Sequence, residues 1–164
     1  MKLLPDTDLF RRTYATGAPQ VLWAEIVADL ETPVSAMLKL AADKPNSFLL
    51  ESVEGGAIRG RYSIIGFDPD LIWRCYRGRA EINRNVLDTP DSFSPCPIGE
   101  KTDALASLRA LVHECRFTLP ASLPPMASGL VGYMAYDMVR LAERLPDNNP
   151  DTLGVPDSIF LRPT

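Results

Sequence analysis

The sequence predicts an α+β fold, with helices packed on a mainly antiparallel sheet. Three observations carry that expectation. Short apolar runs come in closely spaced pairs, 48–50 with 64–65 and 71–76 with 79–83, and glycine-bearing turn residues separate the members of each pair. Two other segments repeat their apolar residues at helical spacing instead. These helical segments stand apart from the hairpin-like pairs, which is the pattern of an antiparallel sheet with helices on it. The chain has 164 residues, of which 46% are apolar, enough for one core of ordinary domain size.

Taken in order, residues 6–14 form a short first helix, capped by Asp6 or Thr7 and stopped at Gly17. Residues 20–29 (QVLWAEIVAD) are β-branched and apolar enough for a strand, weakened by Ala24 and Ala28. Thr32-Pro33 supplies an N-cap followed by proline at the first helical position. Val34, Met37, Leu38 and Ala41 then recur at helical spacing, so a helix runs over 33–43 and ends ahead of Pro45. The stretch 47–66 reads as two buried strands, 48–50 and 64–65, around a polar centre with Gly55-Gly56 and Gly60 as its turn. Residues 67–70 make a turn, and 71–76 with 79–83 make a hairpin around Arg77-Gly78.

Residues 85–101 hold three prolines among Asp, Ser and Gly and read as an exposed loop. Thr102-Asp103 opens the clearest helix. Leu105, Leu108, Val112 and Cys115 line one face with Leu111 beside them, and Ser107, Arg109, His113 and Glu114 point elsewhere. After a proline-rich connection, 129–136 (GLVGYMAY) suits a central strand with a close backbone neighbour at Gly132. Asp137 caps a short helix over 138–144, residues 146–156 form a polar loop, and 158–164 begin another strand. Tyr133 and Tyr136 read as core or sheet-face aromatics.

Composition narrows the function classes. A net charge of −4, with acids and bases mixed, leaves no basic patch for nucleic acid. No apolar stretch approaches the ~20 residues of a membrane span. The start of the chain turns polar too soon for a secretory signal. Cys75, Cys96 and Cys115 are an odd, widely spaced set, read as free thiols of a reducing, cytoplasmic compartment. The single histidine, His113, cannot build a metal site of the usual kind. No nucleophile elbow, HExxH, Walker loop or GxGxxG is present.

What remains is the polar centre between the paired runs 48–50 and 64–65. Glu51, Ser52, Glu54, Arg59, Arg61, Tyr62 and Ser63 gather carboxylate, hydroxyl and guanidinium groups at strand ends. Such a set suits a small zwitterion, whose two charges each meet an opposite one. The same residues serve equally as loop hydrogen bonders and surface ion pairs. Chemistry alone stops at a small-molecule-binding domain.

Leu49 to Ser52 (LLES), Arg61 to Gly66 (RYSIIG) and Gly129 to Arg140 (GLVGYMAYDMVR), followed by Leu145-Pro146, resemble the N-terminal region of anthranilate synthase component I. The likeness runs from about Pro33 onward. Ser128 and Ala135 stand where that family often has glycine. The GYxxYD segment is shared with aminodeoxychorismate synthase component I, while LLES favours the first family. The resemblance implies a lyase that converts chorismate to anthranilate. It implies ammonia from a glutamine amidotransferase partner, and a magnesium ion (Mg2+) held with chorismate by a larger C-terminal domain whose motifs do not occur here. Residues 1–164 are then a truncated N-terminal regulatory domain, inactive alone. The resemblance further implies half of an inhibitory L-tryptophan site, formed by Leu50, Glu51 and Ser52 with Arg61, Tyr62 and Ser63 on the second strand. A stand-alone amino-acid-binding or docking domain is the reading from a different class.

Overall fold

A computed structural model describes residues 2–51, 62–98, 103–146, 148 and 150–164. Helix α1 (Thr7–Ala15) starts where Asp6 turns its carboxylate onto the N–H groups of Asp8 and Leu9, each at 3.0 Å. Just past its end Gly17 takes φ +69°, the left-handed conformation in which glycine carries no penalty. The strand expected over 20–29 does not form. Only Trp23 pairs there, in an isolated antiparallel bridge to Leu4 with both N–H···O distances 2.8 Å. Val27 is 85% and Leu30 98% exposed, because no neighbouring strand lies alongside to receive them.

Helix α2 (Pro33–Ala41) has the expected start and ends two residues earlier than 43. Thr32 and Ser35 cap it reciprocally, the Ser35 N–H meeting the Thr32 hydroxyl at 3.0 Å and the Thr32 N–H meeting the Ser35 hydroxyl at 2.9 Å. Strands β1 (Phe48–Glu51) and β2 (Ser63–Gly66) follow and pair antiparallel as a separate two-stranded sheet.

Strands β3 (Leu71–Tyr76) and β4 (Arg79–Asn83) are the hairpin read from the sequence, residue for residue. Both turn residues have positive φ, Arg77 at 47° and Gly78 at 77°, the two-residue turn whose twist matches its strands. β5 (Ser94–Pro95) pairs with β4, so residues 85–98 are not simply an exposed loop, and 99–101 lie outside the described residues. Val86 and Cys96 are buried within that stretch, and the Cys96 N–H donates to the Ala80 carbonyl at 2.8 Å.

Helix α3 (Ala104–Glu114) is capped by Asp103, which accepts from the Ala106 N–H at 2.6 Å. Its buried side differs from the expected one. Ala104, Ser107, Leu108 and Leu111 face the sheet while Val112 is exposed. β6 (Val131–Met134) and β7 (Ser158–Arg162) complete a five-stranded antiparallel sheet in the order β5-β4-β3-β7-β6. Among the described residues β6 is therefore an edge strand rather than a central one. The close neighbour at Gly132 is real, since a Cβ there would lie 1.9 Å from the Ile159 carbonyl oxygen. Beyond β6 the helix takes the 3₁₀ form over Tyr136–Leu141. Asp137 sits inside it and pairs with Arg140 at 2.9 Å, so Ala135 holds the cap position and no side chain caps it.

The five-stranded sheet has two different faces. Leu71, Trp73, Cys75, Ala80 and Ile82 pack with Ala104, Leu108 and Leu111 of α3 into the main core. On the opposite face Ile72, Val86 and Leu161 form a smaller cluster, covered by Phe93 and by Phe48 of β1. Through Phe48 the two-stranded sheet meets the larger one. The observed architecture is the expected α+β fold.

Candidate functional site

The β1–β2 hairpin brings four of the six candidate residues to one end. Its register sets Leu50 against Ile64 and Glu51 against Ser63. Tyr62 precedes Ser63 directly. Ser52 and Arg61, with Glu54 and Arg59, lie outside the described residues. Glu51 and Ser63 are exposed, Leu50 is 42% exposed and Tyr62 52% exposed.

Pairing also decides which side chains act together. Residues directly opposite share a face, and successive residues alternate. Glu51 and Ser63 therefore project from one face, while Leu50 and Ile64 project from the other, with Phe48. A ligand that meets both the carboxylate and the leucine has to sit at the strand end, not over either face. One wall is polar and the other apolar.

The hairpin is anchored at its opposite end. A Cβ on Gly66 would fall 2.2 Å from the Phe48 ring, so the ring lies directly over the bare glycine and would have to shift to admit a larger residue. The chain then turns through a corner tied to three elements. Lys44, after α2, pairs with Asp68 and lies 4.8 Å from the centre of the Phe67 ring. Asp70 receives both arms of Arg162 from β7, each at 2.7 Å. That bidentate contact outweighs the partial burial of the guanidinium and raises its pKa. The Arg162 guanidinium also lies 3.6 Å from the Cys115 sulfur at the end of α3. The corner fixes the hairpin to the larger sheet.

Other chemically able side chains are placed elsewhere. Cys75 and Cys96 are buried free thiols, and burial pushes the Cys75 thiol pKa up. Cys96 accepts a hydrogen bond from the Ser107 hydroxyl at 3.0 Å, and Ser107 in turn accepts the Trp73 indole N–H at 2.9 Å. Helical periodicity places Ser107 facing outward, whereas the structure buries it in this interior chain. A buried indole N–H needs an acceptor, and that requirement is the signal that finds it. His113 is exposed on α3. Tyr133 lies on the sheet, its hydroxyl donating to the Pro156 carbonyl at 2.9 Å. Tyr136 is 81% exposed and is not a core aromatic, because the 3₁₀ segment turns it to solvent. Among the described residues no group of three or more His, Cys, Asp or Glu is placed to hold a metal ion, and no helix is long and apolar enough to cross a membrane.

No family model matches the chain. Anthranilate synthase component 1 of Cereibacter sphaeroides is 49% identical over 157 residues, which span 96% of this chain and 31% of that protein. The protein of that name from Thermus thermophilus is 43% identical over 139 residues, 84% of this chain and 27% of the relative. That of Pseudomonas aeruginosa is 40% identical over 159 residues, 93% and 30% of the respective lengths. The resemblance carried by the LLES, RYSIIG and GLVGYMAYDMVR segments thus extends over nearly the whole chain. The chain spans about a third of the length of the curated relatives it matches.

Proposed function

We propose that this chain is the N-terminal, regulatory part of an anthranilate synthase component I, a lyase that forms anthranilate from chorismate in tryptophan biosynthesis. The observation that carries this reading is the 49% identity to a protein of that name across 96% of the chain. The end of the β1–β2 hairpin is then half of a feedback site for L-tryptophan, made of Leu50, Glu51, Ser52, Arg61, Tyr62 and Ser63. Glu51 attracts the ligand ammonium, and Ser52 and Ser63 supply hydroxyl hydrogen bonds. Leu50 and the Tyr62 ring cover the apolar indole. The opposed faces of Glu51 and Leu50 support this division, since an amino acid with a charged head and an apolar body needs two unlike walls.

In this reading the remainder of the site, the chorismate site and the Mg2+ site belong to a further part of the enzyme. The described residues present no donor cluster that fits a magnesium ion. A glutamine amidotransferase subunit or domain delivers ammonia, and the enzyme works in the cytoplasm. This chain contributes no catalytic residue. Its role is regulatory: a ligand held between two parts favours the arrangement it binds more tightly, and it shifts the equilibrium only by that difference.

The test is Ser52→Ala in a complete component I that carries this segment. Losing one hydrogen bond raises the tryptophan concentration for half-inhibition by about tenfold, with chorismate turnover retained. Unchanged sensitivity to tryptophan refutes the site assignment. Failure to form anthranilate from chorismate and ammonia in the unmutated enzyme refutes the function.

A further inference from the structure

The outer face of the five-stranded sheet is closed at one end by the Ile72, Val86 and Leu161 cluster and open at the other. Alternation along the β3–β4 hairpin puts Arg74 opposite Glu81 and Tyr76 opposite Arg79 on that open face, while Cys75 and Ala80 turn to the core. The loop ahead of β7 supplies Asp151 and Asp157 as the facing wall. Together these residues enclose a groove of about 550 Å³.

The groove's charges are unequally engaged. Glu81 is taken by Arg74, with N···O distances of 2.8 and 2.9 Å, and the Arg74 guanidinium lies 3.5 Å from the centre of the Phe93 ring. Asp157 accepts the backbone N–H of Arg77. Asp151 accepts the N–H groups of Leu153 at 3.1 Å and Gly154 at 2.9 Å. Glu81 and Asp151 are thus held within their own walls, while Asp157 reaches across to the turn of the hairpin. Among the described residues the Arg79 side chain has no hydrogen bond or ion pair, and the Arg77 guanidinium acts on Asp151 only through its field. Two forked donors remain on offer beside an aromatic ring, a combination that matches the planar oxygens of a carboxylate or a phosphate.

We propose that this groove is a binding site for a small oxyanion, with Arg77 and Arg79 as its donors and the Tyr76 ring against the ligand's apolar body. The site is separate from the hairpin end formed by Glu51 and Ser63, and it stands whether or not tryptophan binds there.

Nitrogen-15-labelled protein is titrated with inorganic phosphate, phenyl phosphate and benzoate at constant ionic strength, so that screening does not change during the titration. Arginine side-chain and backbone amide signals are followed. The expected result is saturable shifts at Arg77, Arg79 and Tyr76 with at least one probe, and the tighter of phenyl phosphate and benzoate identifies the preferred head group. Arg79→Gln and, separately, Arg77→Gln weaken binding by about tenfold or more, while Arg109→Gln on the exposed side of α3 leaves it unchanged. Non-saturating shifts with every probe overturn the proposal, as does equal affinity in the wild type and both groove variants. A parallel titration with L-tryptophan reports on the hairpin signals of Glu51 and Ser63, so failure of either site is read independently.

Discussion

Replacing Ser107 by alanine isolates one interior hydrogen bond and provides a strict test of the core. Trp73 and Ser107 are both fully buried, and the indole N–H reaches the hydroxyl at 2.9 Å. Alanine removes the acceptor and leaves the indole donor without a partner where water does not reach. An orphaned buried donor costs about 1–3 kcal/mol, and the lost thiol contact of Cys96 adds little because sulfur is a weak acceptor. We expect a loss of about 2 kcal/mol. With a urea dependence of about 1–3 kcal/mol per molar, the midpoint of unfolding falls by roughly 1 M at unchanged slope, followed by far-ultraviolet circular dichroism. The control is the same change in a Trp73→Phe background. There no donor is orphaned, so the serine change costs about 1–2 kcal/mol less. A cost below about 0.5 kcal/mol, or equal costs in the two backgrounds, refutes the reasoning.

Gly132→Ala forces a methyl group into the Ile159 carbonyl oxygen; β6 separates from β7, and we expect a loss of about 3 kcal/mol or more, read as lost amide protection at residues 131–134. In the native protein a thiol reagent labels half-buried Cys115 first, whereas Cys75 and Cys96 react only on unfolding; simultaneous labelling of all three contradicts the burial described. The Arg84 guanidinium grips both oxygens of Glu114, at 2.6 and 2.8 Å, and holds this carboxyl below its ordinary 4.5. Its contribution to stability is therefore complete above pH 4.5 and is lost as pH falls through the lower folded value. Thermal midpoints measured downward from pH 4.5 show this loss, and Glu114→Gln reduces it.

Elements fixed by neighbouring residues were legible in the sequence. Arg77-Gly78 specifies its turn locally, and β3 and β4 follow to the residue. Thr32 and Pro33 likewise define the start of α2. Features that depend on distant partners were not legible. Residues 20–29 have strand-like composition, yet a strand exists only where another accepts its hydrogen bonds, and here only Leu4 does. β6 carries the apolar content of a central strand although its position is at the edge, since strand order follows from tertiary pairing. Ser107 shows the limit of helical periodicity, which treats a hydroxyl as polar without asking what the facing indole requires. At the candidate site, the residue types and the two strands were readable. The register that separates Glu51 from Leu50 onto opposite faces emerges only from the pairing.

The place of β7 has a kinetic consequence. It lies between β3 and β6 but follows the other four strands of the five-stranded sheet in sequence. During synthesis the β5-β4-β3 ribbon can assemble early, while β6 waits with an unpaired edge until residues 158–162 leave the ribosome. Only then do Asp70 and Arg162, 92 positions apart, close the corner that ties the candidate site to the larger sheet. Closure over so long a separation makes this late step slow relative to the local hairpins. The nascent chain is therefore most exposed to misassociation just before β7 arrives, through the open edges of β3 and β6.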